Sequence, residues 1–222
     1  MFNSSLIYRP SNPVDPDCAE DTGSTGLIFH APMNLPGDWY SDVFEHDVSV
    51  FGSPSQSDVI FKCSKSALLE GNVDYLSYLN VQLSSRFKFD FWLYVFELPT
   101  AFKGTPIVGV GTGSEGSDGF AIKLWNALAQ PGHEGTYSFE VRNAYSSYVS
   151  CYVPLSRLNT WHHVTVELNG NLYIGVDDCI SSGLATSVNF NAEFPVKIGQ
   201  FDGAYLESSG FYVERFKIYD LS

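Results

Sequence analysis

Residues 160 to 177 run Thr160-Trp-His-His-Val-Thr-Val-Glu-Leu-Asn-Gly-Asn-Leu-Tyr-Ile-Gly-Val-Asp177, and their alternation decides the fold. Apolar and polar side chains exchange places with a period of two on both sides of an Asn-Gly-Asn centre, which is the pattern of a β-hairpin. A two-residue Asn169-Gly170 turn would set Leu168 opposite Asn171 and mix the two faces. A three-residue loop, Asn169-Gly170-Asn171, instead sets Leu168 opposite Leu172, Val166 opposite Ile174 and Val164 opposite Val176, so that all six face one core. The opposite face then pairs Glu167 with Tyr173, Thr165 with Gly175 and His163 with Asp177. The sequence predicts the three-residue loop, with His163 and Asp177 in a surface contact across the hairpin.

The same alternation extends upstream. In Phe87-Lys-Phe-Asp-Phe-Trp-Leu-Tyr-Val95, residues Phe87, Phe89, Phe91, Leu93 and Val95 share one face. The other face begins with Lys88 and Asp90 and continues as Trp92, Tyr94 and Phe96, so the strand is expected to be covered on both sides by its middle. A second hairpin is expected from Tyr137 to Val153: Phe139 and Val141 alternate before Asn143-Ala-Tyr-Ser-Ser147, and Val149, Cys151 and Val153 alternate after it. With 17 Phe, 13 Tyr, 19 Gly and 11 Pro, the composition suits strands joined by tight turns. No segment holds a helical period for more than a turn or two, and residues 64 to 80 carry the weakest pattern. Residues 26–222 are therefore read as one all-β domain. Residues 1–25, with Pro10, Pro13 and Pro16 and no periodicity, are read as an irregular N-terminal arm, held by the domain or by a neighbouring subunit.

Charge narrows the partners. Twelve Lys and Arg against 25 Asp and Glu give a net charge of -13, whose field repels phosphate backbones and anionic headgroups, so no nucleic acid is expected. No apolar run approaches the roughly 18 residues of a bilayer span, so no membrane insertion is expected, and the N-terminus has no basic n-region of a secretory signal. Cys18, Cys63, Cys151 and Cys179 form no CxxC pair, which excludes a zinc knuckle and a thioredoxin-like motif. They are read as free thiols. The alternative is one disulfide, Cys151 to Cys179, in a chain that matures outside a reducing cytoplasm.

Catalytic patterns find little support. Gly109, Gly111, Gly113, Gly116 and Gly119 are not followed by Lys-Ser/Thr and read as a flexible connection before a strand from Phe120 to Leu124. His162 and His163 are adjacent on a strand and point to opposite faces, so they cannot chelate one metal. GxSxG and ExDxE are absent, and Asp177-Asp178 diverge rather than converge on a glycosidic bond. No catalytic residue and no metal ligand are assigned. Aromatic and polar loops remain: Trp39 and Tyr40 near Asp38 and Asp42, Trp125 with Asn126, and Tyr145 with Tyr148. Their rings can stack on the C–H faces of sugars while Asn and Asp orient hydroxyls. The competing role is that of rim or subunit-contact aromatics.

Several segments, taken in order, resemble a laminin G-like domain of the concanavalin A-like lectin/glucanase group. Thr160-Trp-His-His-Val164, then Asn169-Gly170 and Leu172-Tyr-Ile-Gly-Val-Asp177, is similar to the family's W-H-H-V, turn, L-Y-V-D-G hairpin, with Asp178 where the family prefers Gly. Val196-Lys-Ile-Gly199 and Gly210-Phe-Tyr-Val-Glu-Arg-Phe-Lys-Ile-Tyr-Asp220 resemble its I-G segment and closing strand, with Glu214-Arg215 in place of Asp-Glu. Gly71-Asn-Val-Asp-Tyr-Leu76 and Phe87-Lys-Phe-Asp-Phe-Trp92 resemble G-x-x-D-Y-L and F-T-I-S-F-W. The resemblance implies a two-sheet antiparallel jelly-roll sandwich that binds glycans, proteins or receptors, in some members through a rim calcium. No calcium ligand set matches here, so no cofactor is expected, with calcium left open.

The function expected from all of this is a non-enzymatic binding or structural module. It would be associated with a viral, phage-like virion, decorating the particle or adhering to host-surface glycans. Its expected partners are other virion proteins through the arm, a host glycan or protein receptor, and a second copy of the chain. Its expected location is the virion, with an extracellular or cell-surface site as the alternative. A free-standing carbohydrate-binding module is the second reading, and a glycan hydrolase the third.

Overall fold

The computed structural model describes residues 25–33, 39–61, 65–70, 73–100, 103–111, 119–127, 131–143, 148–184, 195–201 and 209–222. Alternation in the sequence becomes strands β1 (Leu27–Ala31), β2 (Val48–Phe51), β3 (Ser55–Ser57), β4 (Ser66–Glu70), β5 (Tyr75–Tyr78), β6 (Phe87–Val95), β7 (Gly104–Gly111) and β8 (Gly119–Trp125). They continue as β9 (Thr136–Asn143), β10 (Tyr148–Pro154), β11 (Thr160–Asn169), β12 (Asn171–Val176), β13 (Cys179–Leu184), β14 (Val196–Ile198) and β15 (Gly210–Asp220). A single 3-10 turn, Leu155–Arg157, bridges β10 and β11 among the described residues.

Two antiparallel sheets result. The first runs β13-β12-β11-β6-β15-β4-β3, with β1 added against β15; the second runs β10-β9-β8-β7-β14-β5-β2. Their inner faces meet in a core dominated by rings: Phe29, Phe87, Phe89, Phe91, Phe120, Phe139, Phe211 and Phe216 are all fully buried. Phe87 and Phe120 meet edge to face across the two sheets at 5.5 Å. Each such side chain contributes about 1.5–3 kcal/mol by leaving water, so this ring layer is what holds the sheets together.

The decisive hairpin has the predicted register: Leu168 faces Leu172, Val166 faces Ile174 and Val164 faces Val176. Gly170 supplies the left-handed backbone that the loop needs, with φ of 80°. The second hairpin also forms as expected, with Val141 opposite Val149 and Phe139 opposite Cys151. The weakly patterned region becomes β4 and β5, joined by a turn in which Val73 and Asp74 donate to the Glu70 carbonyl.

Three expectations change. β6 is fully covered on one face and partly on the other: its inner residues are buried, while Lys88, Asp90, Trp92 and Tyr94 are half-buried, with Phe61 stacked on Trp92 at the middle. The glycine stretch is partly strand, with Gly109 and Gly111 in β7 and Gly119 in β8. A side chain at Gly109 would strike the Gln200 carbonyl, so that residue serves close packing rather than flexibility. Finally, Cys151 and Cys179 are bonded to each other rather than free, which joins edge strand β10 of the second sheet to edge strand β13 of the first. Cys18, Cys63 and the arm up to residue 24 lie outside the described residues. Among the described residues no helix is long and apolar enough to cross a membrane.

Candidate functional site

Strand register, not loop clustering, gathers the most conspicuous surface. On the outer face of the first sheet Trp161 lies opposite Tyr94, and Tyr94 opposite Tyr212, across β11, β6 and β15. Their rings touch in sequence at 5.6 Å and 5.7 Å, and Phe96 extends the row from Tyr212 at 5.1 Å. Gly210 is required beneath Phe96, because a Cβ there would collide with that ring. One register step along the strands, Trp92 stacks on Phe61 at 4.2 Å and on His163 at 4.8 Å. Phe61 also reaches Trp161 at 6.3 Å and is 45% exposed. Rings therefore occupy one half of this face, and Lys88, Asp90 and Glu167 the other.

Two buried or shielded carboxylates hold this surface in shape. Glu214 is fully buried, and its Oε1 accepts the backbone N–H of Phe61 at 2.8 Å. Glu214 shares the outer face with Tyr212 by ordinary alternation, and beyond it β15 carries a bulge between Glu214 and Lys217, with Arg215 at φ of 53° absorbing the extra residue. Phe211, Val213, Phe216 and Ile218 thereby all stay in the core. Asp90 accepts from His163 Nε2 and from Lys88 Nζ, both at 2.9 Å. Burial works against its charge, but the hydrogen bonds from His163 and Lys88 outweigh burial and bring the carboxyl from 3.8 down to about 2.

His163 is therefore served by a different neighbour from the one the hairpin suggested. Asp177 adopts φ of 52° and turns its carboxylate back: Oδ1 accepts from the His163 backbone N–H at 2.9 Å, and Oδ2 bonds His162 Nδ1 at 2.7 Å and Arg157 at 3.0 Å. His162 is fully buried and meets the Tyr137 hydroxyl through Nε2 at 2.8 Å. Burial pushes the Tyr137 hydroxyl well above its usual range. The two histidines do point to opposite faces, as adjacent strand residues must. His162 belongs to a closed network under the sheet ends, and His163 to the surface.

The loop candidates divide between the two ends of the sandwich. Trp39 and Tyr40 are half-buried against the core, and the Tyr40 carbonyl accepts from the Tyr78 hydroxyl at 2.6 Å. Tyr78 sits opposite Val196, and Val196 opposite Val110, which is the end of the second sheet where Tyr148 pairs with Arg142. Trp125 pairs with Gly104 at the far end, under the Lys123 ammonium at 5.2 Å. Asn126 is buried, with its amide donating to the Pro99 carbonyl at 2.7 Å. Tyr145 and Asp38 lie outside the described residues. A smaller exposed ring pair, Phe51 on Tyr75 at 4.3 Å, lies on the second sheet beside Lys197. Sequence reasoning missed Phe61 and Glu214. Only the alternation of Trp92, Tyr94 and Phe96 pointed towards the outer face. Among the described residues no group of three or more His, Cys, Asp or Glu is placed to hold a metal ion.

Strand order and core define a two-sheet antiparallel β-sandwich. Solved structures share it. The binding domain of botulinum neurotoxin DC in complex with SialylT matches at a TM-score of 0.62, with 15% identity over 89% of this chain and 48% of that one. A structure of botulinum neurotoxin type C, whose cell entry depends upon interaction with two ganglioside molecules, matches at 0.59 with 16% identity over 89% and 49%. Domain 4 of AbnA, a GH43 extracellular arabinanase from Geobacillus stearothermophilus, in complex with arabinotriose, matches at 0.61 with 16% identity over 87% and 92%. The chain spans about half the length of the neurotoxin structures it matches. At these identities the likeness is one of fold. No protein-family model and no curated protein sequence matches the chain.

Proposed function

We propose that this protein is a non-enzymatic glycan-recognition module, laminin G-like in type, that binds through the outer face of its first sheet. The observation that carries the reading is the contiguous, half-exposed ring surface formed by Trp161, Tyr94, Tyr212, Phe96, Trp92 and Phe61. Aromatic patches left open on a sandwich mark a binding surface, and ring faces suit the C–H faces of sugars. Fold neighbours carrying arabinotriose and SialylT support the same ligand class. The link between Cys151 and Cys179 suits surroundings outside a reducing cytoplasm. The place we propose is the surface of a virus particle, with residues 1–25 docking on other virion proteins and the sandwich turned to the host.

A glycan array probed with the purified chain, with and without calcium, tests the reading. Binding to a defined set of sugars is the expected result, and the bound oligosaccharides should be recovered uncleaved. A blank array would sink the glycan reading, whereas cleaved products would sink its non-enzymatic part. Peptide mass measurement on purified particles tests the location.

A further inference from the structure

Resting on the glycan reading, we infer that the ring-lined half of this face is a preformed platform for an uncharged, linear oligosaccharide, with Phe61 as its wall and His163 as a hydrogen-bonding partner for a sugar hydroxyl. The row Trp161, Tyr94, Tyr212 runs across three strands at ring spacings of 5.6 and 5.7 Å. Neighbouring rings meet edge to face, at 65° and 71°, so a chain of sugar rings laid across the strands meets ring faces and ring edges in alternation. A single sugar would use only one of them.

Charge selects against acidic sugars. The chain carries a net charge of -13, Glu214 lies opposite Trp92 in the strand register, and Lys88 on the same face is engaged by Asp90 at 2.9 Å. Phe61 is where the platform is built rather than merely present. Burying a carboxylate is costly unless it is bonded, and Glu214 spends a hydrogen bond on fixing the backbone of a residue that is 45% exposed. An exposed ring held in this way loses little freedom when a ligand arrives.

His163 adds direction. The Asp90 carboxyl, held at about 2, is ionised and can only accept, so His163 Nε2 carries the proton. The ring is fixed by that bond and by stacking on Trp92 at 4.8 Å, which leaves Nδ1 as the ring atom for a ligand. A sugar hydroxyl beside Trp92, able to donate or accept, pairs with it.

Titration calorimetry with arabinotriose and cellotriose as neutral probes, and a sialylated trisaccharide as the acidic one, tests this. Trp161→Ala and Phe61→Ala should each weaken binding of a neutral probe roughly tenfold, the upper end of what one ring contact supplies. Trp161→Phe should recover most of that loss, and Trp39→Ala and Trp125→Ala should bind like wild type. Glu214→Met, which removes the acceptor, should weaken binding several-fold, yet Phe61→Ala with Glu214→Met should bind no worse than Phe61→Ala alone, since Glu214 acts through Phe61. Phe61 is exposed, so its variant tests the site without endangering the fold.

Wild-type affinity in Trp161→Ala and Phe61→Ala, with loss in Trp39→Ala or Trp125→Ala, would overturn the platform and leave the glycan reading standing. Tighter binding of the sialylated probe would overturn the assignment to uncharged sugars. Absence of binding to all three probes, with a blank array, would overturn both readings.

Discussion

Replacing Cys151 and Cys179 together by alanine should lower stability by an amount that the chain itself sets. The bond closes a loop of 28 residues between two sheet edges. In the loop-entropy account, freeing a loop of that length costs about 3.5 kcal/mol at 25 °C. For a domain of this size each kcal/mol moves the midpoint by about 2–4 °C, so the double variant should melt roughly 7–14 °C below wild type. Calorimetric scans of wild type, wild type with reductant and the double variant give the number. Reduced wild type and the variant should fall together. Peptide mapping of unreduced protein should recover residues 151 and 179 in one linked pair. Midpoints within about 2 °C of one another in all three scans would refute the reasoning, because the edges would then be held without the bond.

Acid should act through Asp90. Its carboxyl lies near 2 in the folded chain against an ordinary 3.8, so its stabilisation is complete above about pH 4 and is lost as pH falls through about 2. The term is on the order of 2 kcal/mol. Asp90→Asn should flatten the acid limb of a stability profile between those limits, and a limb of unchanged steepness would count against the assignment. Asp177→Ala removes the acceptor of buried His162 Nδ1 and the bond to Arg157, which should cost about 2–3 kcal/mol. Urea titration should register this as a lower midpoint with unchanged slope, and a midpoint equal to wild type would contradict the network described for it.

The sandwich was legible wherever neighbouring residues argue with one another. Period-two alternation in Phe87–Val95 and Val164–Val176 fixes which side chains face the core, and the loop at Gly170 fixes the register, because a slip by one residue would turn Leu168 and Val166 to water. What alternation cannot give is the third neighbour. The hairpin names Asp177 as the residue opposite His163, whereas Asp90 comes from the other flanking strand, β6, 73 residues earlier. The platform was hidden for the same reason: Phe61 and Glu214 are 153 residues apart, and nothing local in either segment announces the bond. Aromatic residues beside Asn and Asp in loops mark sugar-binding candidates only by residue type. Asn126, however, spends its amide on Pro99, a use that composition does not reveal.

The pairing of β1 with β15 puts Gly26 and Asp220 in contact, with the Asp220 N–H donating to the Gly26 carbonyl at 2.7 Å. Gly26 and Asp220 therefore lie together at the foot of the sandwich, beside Phe87, while Tyr94 lies seven residues along β6, about 23 Å away. A pull between a tether at the foot and a ligand held at the head runs parallel to the strands. It loads the interstrand hydrogen bonds of the first sheet in shear, all together, rather than opening them one by one. The first sheet is therefore strongest along its own strands, in the direction from Phe87 to Tyr94.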